Sequence, residues 1–312
     1  MTGHPVAAIC RTLHLARQTA YYTPTVRTRG HYQRAVDGTV LQQIHAVTNS
    51  RATYGYRPVW AMVNRQFRAG YNRKRIRRVM RMHGLMLAPR VHRRHGRPHV
   101  CQVAVPTSNQ RWCSDMFLIP CWSGEVVSVL FAIDGHDREV PAWVASPRPL
   151  TGADVRTLMD RTLWARFGEA TVSAPHAIQW LSDNGPQYTA TATVLYAHAL
   201  GLAPITTPAY SPESNGLAGA FVHTFKRDYV HRAELRDAEA VLAQLAGWIE
   251  DYNRQAPHSA LGMRPPTEYR ASLENSCPHL SRKLGSRPNC GPAAWAFRLT
   301  RYRAMRSRRR WR

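Results

Sequence analysis

An α/β domain with a mixed sheet, preceded by small helical units, is the fold class the chain predicts, and three observations carry that expectation. Up to about residue 90, apolar residues recur at helical spacing between Gly- and Pro-containing turns. From residue 109 the pattern changes to short strand-like runs joined by tight links. Charge divides the chain in the same way. Residues 1–106 hold 19 Lys/Arg against Asp37 alone, residues 107–272 hold 13 against 17 acids, and residues 273–312 hold 11 against Glu274. The nets are +18, −4 and +10, which recover the overall +24. An acidic centre between two basic flanks suits a protein that grips a polyanion around a concentration of carboxylates, with nucleic acid the leading partner.

The first segment, residues 1–30, reads as a helix-turn-helix-like unit. Val6, Ala7, Ile9, Cys10, Leu13 and Leu15 form an apolar stripe, and Arg17 to Tyr22 begin a second helix whose polar and basic start suits a DNA groove. An ordinary helical hairpin fits the same residues. Residues 31–90 form a second helical unit. Val40, Ile44 and Val47 mark one helix, and Val59, Trp60, Met62 and Val63 mark another after the Tyr54-Gly55-Tyr56-Arg57 turn. Ile76, Val79, Met80 and Met82 mark a third, ended by Gly84. The outer face of that third helix carries Arg73, Lys74, Arg77, Arg78 and Arg81 with almost no acid to offset it, which favours contact with backbone phosphates.

Residues 91–106 read as a basic linker. His92, His95, His99 and Cys101 nearby match no standard zinc-finger spacing. The core, residues 107–272, opens with strands over 111–119, 126–133 and 139–144 as an antiparallel meander, followed by a helix over 151–167. A strand then ends at Asp183, a helix covers 189–200, a short strand lies near Ile205, and helices start near 216 and 238. After Arg270 the periodicity fails, and residues 273–312 read as a basic, disordered or nucleic-acid-bound tail. The six cysteines show neither C-x-x-C pairs nor a disulfide rhythm. With no secretory pattern and no apolar run of about eighteen residues, the expectation is a cytoplasmic protein with reduced thiols and no membrane contact.

Asp115 and Asp183 fall on different strands, and paired carboxylates are what a site for hard divalent cations requires. Asp115 as a turn carboxylate and Asp183 as a helix cap are the plain alternatives. Four ordered motifs weigh on that choice: Trp112-Cys113-Ser114-Asp115, Phe131 to Glu139, Leu181-Ser182-Asp183-Asn184-Gly185, and Ser211-Pro212-Glu213-Ser214-Asn215-Gly216. Together they resemble the integrase-core (DDE-type) transposases of bacterial insertion sequences, nearest to the second-frame product of the insertion-sequence-3 family, over roughly residues 5–270.

The resemblance implies a ribonuclease-H-like core that uses two Mg²⁺ or Mn²⁺ ions for DNA cleavage and strand transfer, and self-association on paired element ends. It also implies a third catalytic carboxylate, a glutamate, with thirty-five residues between it and Asp183. At that position stands Gly219. On a helix Gly219 shares a face with His223 and Lys226, which suit DNA phosphate, but glycine has no oxygen for a metal. Glu213 precedes the helix, and Asp228 lies about 180° around it, so neither is placed to substitute. The expectation is a transposase impaired at its third carboxylate or, alternatively, an inactive DNA-binding remnant that occupies element ends.

Overall fold

The computed structural model describes residues 5–21, 36–88, 105–207 and 215–276. The linker from residue 91 to 104, Glu213, and the tail beyond 276 lie outside the described residues.

Helices α1 (Val6–Thr12) and α2 (Arg17–Ala20) form where the first helical pair is expected. Of the apolar stripe only Cys10 is buried, while Ile9, Leu13 and Leu15 face outward. The second helix is a single turn of four residues, and Tyr22 lies outside the described residues. Helices α3 (Asp37–Ser50), α4 (Tyr56–Gln66) and α5 (Arg73–Met82) pack as a three-helix unit around Val40, Ile44, Val47, Val59, Val63, Ile76, Val79 and Met80. Asn72 caps α5 by accepting the Lys74 amide at 2.8 Å, and Gly84 leaves its end at φ +68°. The cationic face of α5 differs from its expected form in one place. Asp37, the unit's acid, accepts from Arg75 at 3.0 Å and Arg78 at 2.7 Å, so Arg78 is turned toward α3. Arg73, Lys74, Arg77 and Arg81 remain exposed.

The core sheet has the order β3-β2-β1-β4-β5, from β1 (Arg111–Pro120), β2 (Val126–Asp134), β3 (Ala142–Ser146), β4 (Ile178–Ser182) and β5 (Leu202–Thr206). β1, β2 and β3 pair antiparallel as a meander, whereas β1–β4 and β4–β5 are parallel. The sheet is therefore mixed, and α6 (Gly152–Phe167) with α7 (Pro186–Thr189) and α8 (Thr191–Ala199) supplies the crossovers. Strand alternation sends Trp112, Leu130 and Trp180 into the layer beneath α6 and α8. The opposite face sends Cys113, Phe117, Phe131 and Leu181 into a layer covered by α9 (Gly216–Asp228) and α10 (Ala238–Arg254). Helix α6 is fixed at its start by a reciprocal Thr151–Asp154 capping box.

Two boundaries depart from the sequence reading. The third strand begins at Ala142 rather than 139, because the preceding backbone bonds elsewhere. The Val140 amide donates to Asn253 Oδ1 of α10 and its carbonyl accepts from Asn253 Nδ2, both at 2.9 Å. The last helix, α11 (Pro266–Ser276), runs past Arg270, where the periodicity fails, because a buried charge holds it. Arg270 reaches Glu139 at 2.8 Å.

That contact belongs to a buried ionic cluster at the β2–β3 connection. Arg166, 1% exposed at the end of α6, donates two 3.0 Å bonds to the Asp137 carboxylate and lies 3.2 Å from Glu139. Asp134 accepts the amides of Asn109, His136 and Asp137. Burial raises the carboxyls of Asp134 and Glu139 above their ordinary values, and the nearby arginine charge works against that rise. The helical unit is clasped to the core in a similar way. Arg51 makes a bidentate pair with Asp251 of α10, which also accepts the Tyr229 hydroxyl at 2.7 Å, and Arg65 pairs with Glu268 at 2.9 Å. No helix among the described residues is long and apolar enough to cross a membrane.

Removing the cation from a buried cluster leaves its carboxylates uncompensated. Arg166→Met is expected to destabilise the protein by about 3–5 kcal/mol in urea unfolding. A loss under about 1 kcal/mol would show that the cluster contributes little.

Candidate active site

The β1–β4 ladder pairs Arg111 with Gln179, Trp112 with Trp180 and Cys113 with Leu181. Two residues beyond the last pair on each strand stand Asp115 and Asp183. Adjacent strands run about 4.8 Å apart, and a two-residue step keeps a side chain on the same face. Asp115 therefore follows Cys113 toward the α9 layer, and Asp183 stands one residue past the end of β4. Their electrostatics agree with this placement. Burial pushes the Asp115 carboxyl above its usual range, the Met116 amide pulls against that, and the Asp183 charge adds to the rise. Both carboxylates also act on one phenol. Burial raises Tyr188, the Ser114 hydroxyl opposes at 2.9 Å, and Asp115 and Asp183 add to the rise.

The loop after β4 explains each residue of its motif. Asp183 Oδ1 accepts the Gly185 amide at 3.0 Å, a turn bond that uses one oxygen; Gly185 itself is the N-cap of α7, so Asp183 does not cap that helix. Asn184 donates to the Thr207 carbonyl at 2.9 Å and pins the loop to the end of β5. At Gly185 an added Cβ would stand 3.0 Å from Asp183 Oδ1 and 2.7 Å from Gln187 Nε2, so a side chain there would crowd the carboxylate.

Helix α9 starts against the strand that bears Asp115. Asn215, buried at its N-terminus, does not cap the helix; its amide instead donates to the Ser114 carbonyl at 3.1 Å, one residue from Asp115. Leu217, Ala218, Phe221 and Phe225 bury the inner face. Phe221 packs 4.4 Å from the Phe131 ring centroid, and Phe225 packs 5.6 Å from that of Phe117. Gly219 lies exposed on the first turns, and a Cβ built there meets nothing within 4 Å. Lys226, two turns on, holds its ammonium 5.7 Å from the Phe117 ring centroid, and His223 is exposed between them. Asp228 is bonded by Arg227 at 2.6 Å.

No group of three or more His, Cys, Asp or Glu gathers as a metal cage among the described residues. Asp115 and Asp183, with Gly185 leaving the Asp183 carboxylate uncrowded, fit a hard cation, and no third carboxylate joins them among the described residues. Sequence reasoning missed the supports. Ser114 and Tyr188 beneath the pair and the Asn215 anchor carry no spacing signature, although all three sit within or beside the motifs already quoted. The 131–139 motif was read without a role; its three acids within six residues were the available sign of the Arg166 cluster.

A mixed sheet of this order, with Asp115 midway along β1 and Asp183 just past the end of β4, is the layout of an integrase-core fold of the polynucleotidyl transferase class. The family profile described as Integrase core domain matches residues 106–212, and a second of the same description matches residues 200–266. The profile described as HTH-like domain matches residues 36–95. Transposase InsD of the insertion element IS2 from Escherichia coli is 42% identical over 247 residues, covering 77% of this chain and 81% of InsD. An uncharacterized protein of the insertion element IS136 from Agrobacterium fabrum is 48% identical over 188 residues, covering 60% of this chain and 95% of that protein. Among solved structures, the catalytic core domain of BIV integrase aligns over 54% of this chain and 97% of that chain, at 20% identity and a TM-score of 0.36. The chain belongs to the insertion-element transposases of the insertion-sequence-3 family, DDE-type enzymes that act on DNA.

Asn215 ties the start of α9 to the strand that bears Asp115. Asn215→Ala is expected to cost about 1–3 kcal/mol in denaturant unfolding, as a buried acceptor loses its donor. Unchanged stability would mean that the aromatic packing alone seats the helix.

Proposed function

We propose that the chain binds the ends of its element through its helical units, residues 1–30 and 31–90, and presents them to the core over residues 107–272. Asp115 and Asp183 there hold Mg²⁺ or Mn²⁺. Such ions, when bound, activate an attacking oxygen and stabilise a leaving one in phosphodiester cleavage and strand transfer. The residues of this chain do the positioning. The exposed cations Arg73, Lys74, Arg77 and Arg81 neutralise backbone phosphates, while His223 and Lys226 line the approach along α9. Copies of the chain associate on paired ends.

This copy is impaired, because Gly219 takes the place of the family's glutamate. The observation that carries the reading is the open space at Gly219 on α9, a helix whose start is tied to the strand of Asp115, with Asp228, the acid of α9, already engaged by Arg227. The same observation favours a second reading, a DNA-binding remnant that occupies element ends without cutting them. The two differ only in residual chemistry.

Gly219→Glu is expected to raise cleavage and joining of element-end duplexes by about 10²–10⁴ in Mg²⁺ or Mn²⁺, the scale of one lost ligand in a two-metal centre. The paired variant Gly219→Glu with Asp115→Asn is expected to lose that gain. Robust joining by the unaltered chain, or no gain on restoring the glutamate, contradicts the assignment.

A further inference from the structure

A groove of about 920 Å³ separates the helical unit from the core, between the Ala52–Pro58 turn and the outer side of α9. His223, Thr224 and Arg227 form one wall, and Gly55 and Arg57 the other. Positions 219, 223 and 227 follow at four-residue steps, so a single row on α9 leads from the active-site position into the groove, about 12 Å along the helix.

The far wall leads on to the DNA-binding helix. Arg57 is exposed, and its Nε donates to the Tyr56 hydroxyl at 3.3 Å. The Arg77 guanidinium of α5 lies 5.5 Å from the centroid of the same ring. Tyr56 thus joins the cation at the groove to the cationic face of α5.

The groove is also positive where it counts. Asp228 is the acid among its described lining residues, and Arg227 holds it in a two-bond pair. Burial lowers His258 to about 4, so that ring lines the groove uncharged at neutral pH. Thr53, Thr224 and Ser259 add hydroxyl donors. The spacing of the walls is set from behind by the Arg51–Asp251–Tyr229 clasp, since Tyr54 and Tyr229 line the groove and both contact that clasp.

We propose that this groove seats the phosphate backbone of the DNA that runs from α5 to the active site of the same chain, with Arg57 as its principal phosphate contact. The proposal deepens the DNA-binding reading above and rests on it. Arg57 lies outside the cationic face that the sequence singles out, and the groove gives it a role that α5 alone cannot fill: aligning the duplex with α9.

The test is binding of the full chain to a duplex from the element's own terminus, across 50–200 mM salt. Arg57→Ala is expected to weaken binding and reduce the slope of log K against log salt by about 1, and Arg57→Lys to retain the slope. Thr224→Glu, at a half-buried site on the opposite wall, is expected to weaken binding by repulsion, with thermal unfolding followed in each variant and unchanged in those of exposed Arg57. Loss of the slope in Arg57→Ala and Arg57→Lys alike, or unchanged affinity in Thr224→Glu, overturns the groove. Arg73→Ala separates the two readings. If it reduces the slope while Arg57→Ala does not, the groove falls and DNA binding by α5 stands; if neither does, both fall.

Discussion

Parallel pairing between β1 and β4 brings two strands side by side as far as Cys113 and Leu181, and the next outward step on that face is a carboxylate on each. The proposed chemistry depends on this register. A slip of one residue would turn Asp115 into the layer under α6 and α8 and separate it from Asp183. Large fully buried side chains oppose such a slip, with Trp112 and Trp180 packed edge to face at 6.3 Å between ring centroids.

The sheet carries two groups of acids, and the contrast between them is informative. At the β2–β3 connection Asp134, Asp137 and Glu139 are matched by Arg166 and Arg270, so burial is compensated and the group fixes the backbone. Asp115 and Asp183 have no salt bridge among the described residues, and the charge of one raises the carboxyl of the other. Arginine compensates the buried group, whereas Asp115 is half-buried and Asp183 exposed, an arrangement that suits the external cation proposed for them. Helix α9 is seated by Asn215 and by aromatic packing, and in the proposed function its Gly219 supplies no oxygen to that charge.

Much of the fold was legible because its signals are local. The meander, the strand that ends at Asp183 and the three-helix unit follow from apolar period and turn residues. The errors came where long-range bonds override local pattern. Asn253 takes the backbone at Val140 away from the sheet, Glu139 extends order past Arg270, and Asp37 withdraws Arg78 from the cationic face. At the site, the motifs and their spacing single out Asp115, Asp183 and Gly219, whose roles stand as the proposal made above. Arg57 was not, because its importance comes from facing α9 across a groove, and nothing in a linear sequence records which helix lies opposite which turn.

Anomalous diffraction from Mn²⁺-soaked crystals of the unaltered protein reads the central arrangement directly. A peak about 2.1 Å from oxygens of both Asp115 and Asp183, with only water on the side toward Gly219, is the expected result. Density elsewhere in the chain, or a protein oxygen filling the coordination on the α9 side, would contradict it.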